Sequence, residues 1–301
     1  KPIVQKELIY RVRNLLDRKH ALMERVQHES SLDAAKEIQN TLISEEGNPI
    51  PPGISVFSYY KPAERIGGDW FSYFFDEKRN HLFAFIGDVT GHGLPSALFM
   101  CTVAGVIRGA LGSLFKSEKN LSLAEILQEI ASLANDTVYE TGAKANKHLS
   151  MAFIGIDLST SEAIFLNAGH PSPYIFGKDK LRPVLNYGSL LGFRKKCEFR
   201  LIPFRIEKGE SIILYTDGLM ENIGKSGRRS IPRELSALLK TNDLSKIRSY
   251  LEKVEKRQNI KDRNTSDDVA ILILSRNNDV TPGNAHDVHS FPCRVSGAPP
   301  R

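Results

Sequence analysis

Four aspartates stand at the borders of apolar runs, each in a glycine-marked or acidic turn. They are Asp69 in Ile66-Gly67-Gly68-Asp69-Trp70, Asp88 in Ile86-Gly87-Asp88-Val89-Thr90-Gly91-His92-Gly93, Asp217 in Tyr215-Thr216-Asp217-Gly218-Leu219, and Asp267 in Thr265-Ser266-Asp267-Asp268-Val269. A carboxylate at the end of a buried strand is costly unless it gains partners or a metal. Four such positions along one chain point to a site assembled around hard cations, which prefer oxygen ligands. Two such ions about 3.5–4 Å apart can acidify a bridging water and clamp a phosphoryl group for in-line attack. No side-chain nucleophile is then required, and the chain shows no Gly-x-Ser-x-Gly elbow, cysteine-centred signature or Walker-type phosphate loop. A metal-dependent hydrolase is the leading reading.

Around Asp88 the pattern is more specific. Gly87, Gly91 and Gly93 permit tight backbone paths, so a main-chain carbonyl beside Asp88 can turn toward a metal. A helix beginning near Leu94 presents its positive end to the same corner. Adjacent side chains on a strand face opposite ways, so only one of Asp267 and Asp268 should reach the metals; Asp267 is favoured and Asp268 read as a bystander. His92 is open to two readings, an acid or anion contact and a hydrogen-bonded turn residue. His170, before Pro171, reads as a structural hydrogen-bonding group, and Glu221 as a local one. Gly67-Gly68-Asp69 also resembles the start of a diguanylate cyclase signature, but Trp70 stands where that motif continues with an acidic residue.

The elements that must position these residues fall into a clear order. Residues from about 3 to 45 lack glycine and proline and read as one long helix. Leu8, Val12, Leu15, Lys19, Leu22 and Val26 form a short heptad stripe with a polar interruption. Leu32, Ala35, Ile38 and Leu42 then make a new apolar face, and Gly47 with Pro51-Pro52 ends the segment. Strands are expected at Ile54 to Tyr60, Trp70 to Phe75 and Leu82 to Ile86, the last two joined by a polar hairpin turn. Helices follow at Leu94 to Leu111, with Pro95 in the first turn, and at Ser122 to Glu140. Further strands are expected at Met151 to Leu158, Ala163 to Asn167, Tyr174 to Phe176, Leu181 to Leu185, Phe199 to Ile206, Ser211 to Tyr215 and Val269 to Leu274. Two more helices are expected near Pro232 to Leu239 and Leu244 to Arg257. Runs of strands and runs of helices indicate an α+β layered domain. The expected division is a helical, coiled-coil-like segment at 1–46, a catalytic domain at 47–275 and a disordered tail at 276–301.

Composition bounds the function classes. The 301 residues are 41% hydrophobic and 25% charged, enough for a sizeable core, and the +6 formal charge is scattered rather than gathered with aromatics. That pattern argues against nucleic acid as the main partner. Cys101, Cys197 and Cys293 are far apart and odd in number, which fits a reducing, cytoplasmic compartment. No apolar run is read as approaching the roughly 20 residues of a membrane span, and no signal-peptide pattern appears.

Taken together, the motifs resemble the SpoIIE/RsbU-type serine/threonine phosphatases, a bacterial branch of the metal-dependent protein phosphatase 2C (PPM) superfamily. The residues carrying the resemblance are Ala35-Lys36-Glu37-Ile38-Gln39-Asn40-Thr41-Leu42, Gly67-Gly68-Asp69-Trp70, Gly87 to Gly93 continuing into Leu94-Pro95-Ser96-Ala97, Asn167-Ala168-Gly169-His170-Pro171, Tyr215-Thr216-Asp217-Gly218 and Asp267-Asp268. The resemblance implies a central antiparallel β-sandwich flanked by helices and a site for two Mn²⁺ or Mg²⁺ ions. It implies Asp88 as the bridging ligand, the Val89 carbonyl as a further ligand, Asp69 on one ion, and Asp217 with Asp267 on the other. Asp88 and Asp217 are the expected catalytic residues. The arginine that eukaryotic members use to grip phosphate has no visible counterpart, so that role is unassigned. The resemblance further implies a phosphorylated regulatory protein as substrate, such as an anti-sigma factor antagonist, with regulation through Ile38 and Leu42, a homodimer through the first helix and an upstream sensor. A catalytically silent scaffold and a hydrolase of small phosphate esters are the alternatives.

Overall fold

The computed structural model describes residues 5–43, 48–178, 180–223, 237, 246–251, 253 and 267–278. Two five-stranded sheets, antiparallel throughout, form its centre. In chain order the elements are α1 (Gln5–Ile43), β1 (Ile54–Lys61), β2 (Trp70–Asp76), β3 (His81–Val89), α2 (Leu94–Lys116) and α3 (Leu123–Ala145). They continue with β4 (Leu149–Asp157), β5 (Glu162–Ala168), β6 (Tyr174–Gly177), β7 (Lys180–Pro183), β8 (Leu201–Arg205), β9 (Ser211–Tyr215), α4 (Asp217–Ile223) and β10 (Val269–Arg276). One sheet runs β1-β10-β9-β6-β7 and the other β2-β3-β4-β5-β8. The α+β sandwich with a long first helix agrees with the expectation.

Sequence explains the layers. In β3 and β4 both faces are apolar, because each strand is central and covered on both sides. Leu82, Ala84, Ile86, Ile154 and Phe165 face Ile212, Leu214, Leu272 and Leu274 across the sandwich. Phe83, Phe85 and Phe153 point the other way, onto Val103, Ile107, Ile126 and Ile130 of α2 and α3. α3 starts with a capping box, Ser122 and Glu125 each accepting from the other's backbone N–H, and ends on left-handed Asn146. α2 corrects one expectation: at 23 residues it is long and apolar enough, by length and composition, to cross a membrane. Here its buried residues, from Ala97 to Leu111, pack against α3 and the adjoining sheet.

The β2–β3 hairpin closes as expected, with Arg79 donating to buried Asp76 at 2.6 Å. β10 runs two residues past the strand read from sequence. Its last residue, Arg276, placed with the tail in the expected division, is buried and donates to the carbonyls of Ile206 and Leu158 and to Ser161. Residues 237, 246–251 and 253 are helical, and the rest of the two helices expected between Pro232 and Arg257 lies outside the described residues, as do Cys293 and residues 279–301 of the tail.

Candidate metal centre

Each aspartate reaches the site by its place at a strand end. Trp70 pairs with Gly87 where β2 meets β3, so Asp69 and Asp88 emerge side by side from one sheet. From the other sheet, Asp217 follows β9 and opens α4, and Asp267 lies two residues before β10. Thr216 joins the two sheets. Its hydroxyl donates to Asp69 Oδ2 at 2.7 Å and accepts from the Ala270 N–H at 2.9 Å, and it is fully buried. The Val89 carbonyl faces Gly68: a methyl group on Gly68 would stand 3.1 Å from it.

The electrostatics follow from that crowding. Burial, then the charges of Asp217 and Asp267, push Asp88 up to about 7, although a hydrogen bond with Asp69 works against the rise. Asp69 is 1% exposed, and burial followed by Asp88 and Asp268 holds its carboxyl well above the usual carboxylate range. Asp217 stands at the exposed mouth, yet partial loss of hydration and the neighbouring Asp267 raise it too. A cation placed among these carboxylates would favour their charged forms. The donor set is all oxygen, which fits a hard divalent ion and not a soft one. Among the described residues no three acidic, histidine or cysteine side chains are gathered into a finished metal cage. What the structure shows is two pairs of carboxylates within electrostatic reach of each other.

Asp268 does more than the bystander role expected of it. It is 3% exposed and accepts from the N–H groups of Ala63 at 2.7 Å and Gly68 at 2.5 Å. Burial raises its pKa while those N–H groups pull against the rise. The Asp268 side chain therefore anchors the loop carrying Asp69. Asp267 in turn accepts the backbone N–H of Asp268 at 2.9 Å. This buttress joins residues some 200 positions apart, and no local pattern announces it.

The histidines separate. His92 is exposed and pairs with Glu64 at 2.6 Å, on the rim. His170 is buried: its Nε2–H donates to the Tyr215 carbonyl at 3.1 Å, leaving Nδ1 to accept from the Ser150 hydroxyl at 2.8 Å. The carbonyl can only accept, which sets the tautomer. Ser150 pairs with Asp88 and Tyr215 lies two residues before Asp217, so His170 braces the two sheets just beneath the site. The Glu221 side chain lies outside those described.

On α1 the face turned to the domain differs from the one expected. Leu32, Ala35 and Leu42 are partly buried, but Ile38 is 61% exposed and Gln39 is 3% exposed. Residues 32, 35, 39 and 42 follow steps of three and four, whereas 38 lies one residue, about 100°, off that line. Gln39 Nε2 donates to the Gly67 carbonyl at 2.6 Å, and Arg65 beside it reaches Asp33 at 2.7 Å. The helix thus grips the loop that carries Asp69.

The description "Stage II sporulation protein E (SpoIIE)" matches residues 78–277, well over half of the sequence. The chain belongs to the SpoIIE family. With that membership comes its enzyme class, a protein serine/threonine phosphatase. The "Phosphoserine phosphatase RsbU" of Bacillus subtilis (strain 168) is 24% identical over 264 residues, covering 85% of this chain and 74% of the relative. Among solved structures, the SiaA-PP2C domain of Pseudomonas aeruginosa superposes with a TM-score of 0.63 at 17% identity, covering 84% of this chain and 98% of the other. RsbX, in a structure described as a complex with magnesium, gives a TM-score of 0.51 at 16% identity and covers 75% and 96%. At these identities the solved structures speak for the fold, which is of the PP2C type in this SpoIIE-family phosphatase.

Proposed function

We propose that this SpoIIE-family protein removes phosphate from phosphoserine or phosphothreonine on a regulatory protein and depends on Mn²⁺ or Mg²⁺. The observation that carries the reading is the convergence of Asp69 and Asp88 from one sheet with Asp217 and Asp267 from the other, each pair within the other's electrostatic reach. The name of RsbU and the magnesium in the RsbX structure agree with it. Asp88, Asp69, Asp217, Asp267 and the Val89 carbonyl would supply the oxygen ligands that hold the divalent ions, with Asp88 as the shared one. Such ions, when bound, supply an acidified water and positive charge against the phosphoryl oxygens. The chain's own part is positional: Thr216 orients Asp69, Asp268 holds its loop, and His170 keeps Tyr215 in line with Ser150. Asp88 and Asp217 are the residues whose carboxylates the reaction needs most directly.

Regulation fits α1. Leu8, Val12, Leu15, Leu22 and Val26 are each between 45% and 65% exposed, an apolar stripe without cover among the described residues. We assign it to a homodimer, with an upstream sensor acting through the helix on Gln39 and the Asp69 loop, and place the enzyme in the cytoplasm with a phosphorylated anti-sigma factor antagonist-like domain as substrate. Mn²⁺-dependent hydrolysis of a phosphoserine protein by the wild type, abolished in Asp88→Asn and Asp217→Asn, is the expected result. Wild-type rates in both variants would sink the site assignment. Sedimentation of the intact chain against one lacking residues 1–30 tests the stripe; two monomers would remove the dimer.

A further inference from the structure

We infer that Lys147 is the phosphate-contacting cation of this site, the role left open by the missing arginine. The inference rests on the phosphatase reading above. Lys147 is placed by the end of α3: Asn146 takes a left-handed turn (φ 51°), and the Lys147 N–H donates to the Gly142 carbonyl at 3.0 Å. The chain then enters β4, whose Leu149 pairs with Val89. This path returns the side chain to the turn that follows Asp88. Its Nζ donates to the Thr90 carbonyl at 2.8 Å and to Ser96 Oγ at 2.8 Å.

Both partners border the metal centre. Thr90 follows Val89 directly, and Ser96 is fully buried and crowds Gly68, where an added methyl would stand 3.1 Å from its Cβ. Gly91, at φ +82°, leaves room for the ammonium: a methyl there would come within 3.0 Å of Nζ. The turn is therefore shaped around this cation. Both acceptors are neutral, so the lysine's charge is not cancelled at contact. An ammonium carries three N–H donors and two are used. No carboxylate among the described residues stands within ion-pair distance of it, whereas Arg65, on the loop before Asp69, is paired with Asp33. A half-buried, unneutralised cation held on the carbonyl of Thr90, the residue after Val89, suits a phosphoryl dianion arriving at the ions. Lysine does this as a point charge, where arginine would offer a two-pronged grip.

The alternative is that Lys147 only props the 89–96 turn, and the two roles separate in binding. The test uses Mn²⁺-loaded protein with inorganic phosphate as probe, titrated by calorimetry and read again as competitive inhibition of p-nitrophenyl phosphate hydrolysis. Mn²⁺ affinity is measured in parallel. Lys147→Met should weaken phosphate binding about tenfold, the size of one lost charge-assisted hydrogen bond, with Mn²⁺ affinity unchanged. Lys147→Arg should restore phosphate binding to within about threefold. Unaltered phosphate binding in Lys147→Met would overturn the inference, as would a parallel loss of Mn²⁺, which marks a prop. A wild type that binds neither Mn²⁺ nor phosphate would instead sink the phosphatase reading and this inference with it.

Discussion

Acidification should destabilise the fold through His170, by an amount that can be worked out. Burial pushes the imidazole down to about 3, while an unfolded histidine titrates near its ordinary 6.5. Below pH 6.5 the unfolded chain takes up a proton that the folded chain refuses. The stability this site contributes is therefore complete above 6.5 and is lost progressively as pH falls toward 3. At pH 5 the unfolded form has gained about 1.5 pH units of protonation advantage, or about 2 kcal/mol. Asp69, Asp88, Asp217 and Asp268 have raised pKa values and act with the opposite sign, since taking up protons favours the fold. Urea unfolding of wild type and His170→Gln at pH 7 and pH 5, both in EDTA, isolates the histidine, because the carboxylate contributions are common to both. The wild type should lose about 2 kcal/mol more than the variant on acidification. Equal losses, or a larger loss in the variant, would refute the reasoning. If His170→Gln does not fold, NMR of the wild-type ring at pH 5 decides, and a protonated imidazole would be fatal to it.

Three further outcomes follow from single contacts. Gln39→Ala leaves the buried Gly67 carbonyl without its partner and should cost about 1–3 kcal/mol in chemical denaturation, with a lower rate at sub-saturating Mn²⁺. Gly218→Ala would place a methyl on the Asp268 carbonyl, at 1.9 Å, so the backbone beside Asp217 must move; phosphoserine hydrolysis should fall about 100-fold. Arg79→Ala strands buried Asp76 and should cost about 3–5 kcal/mol by denaturation. Because that turn is at the other end of β2, about 20 Å from Asp69, the rate per folded molecule should be unchanged.

Much of this site was legible because it obeys local rules. Asp69, Asp88, Asp217 and Asp267 each stand at the junction of an apolar run and a turn. The purpose of Asp268 was not legible, since its acceptor role depends on the N–H groups of Ala63 and Gly68 across the whole chain. Gln39 is part of the Ala35–Leu42 motif, but its burial is not legible from sequence, because apolar residues such as Ile38 advertise burial and a buried amide does not. Lys147 carries no pattern at all. Its position comes from a helix cap followed by a strand register, two features that only a folded chain brings together. The elements between strands were easier, as Ser122 with Glu125 and the polar Asp76–Asn80 turn carry their geometry in their side chains.

The place of β10 sets a timetable for the enzyme. This strand lies between β1 and β9, and Ile54 pairs with Arg276 across more than two hundred intervening residues. Until it inserts, β1 has no partner and its sheet exists as two pieces, so the pairing that completes the sandwich is the most distant in the chain and slow to find. The same segment delivers Asp267, and with Asp268 the anchor of the Asp69 loop. A chain emerging from the ribosome, or one cut short before residue 267, therefore lacks one of the four carboxylates and has an unsecured loop. Its sandwich stays unclosed, and the Asp69 loop is secured only when β10 is home.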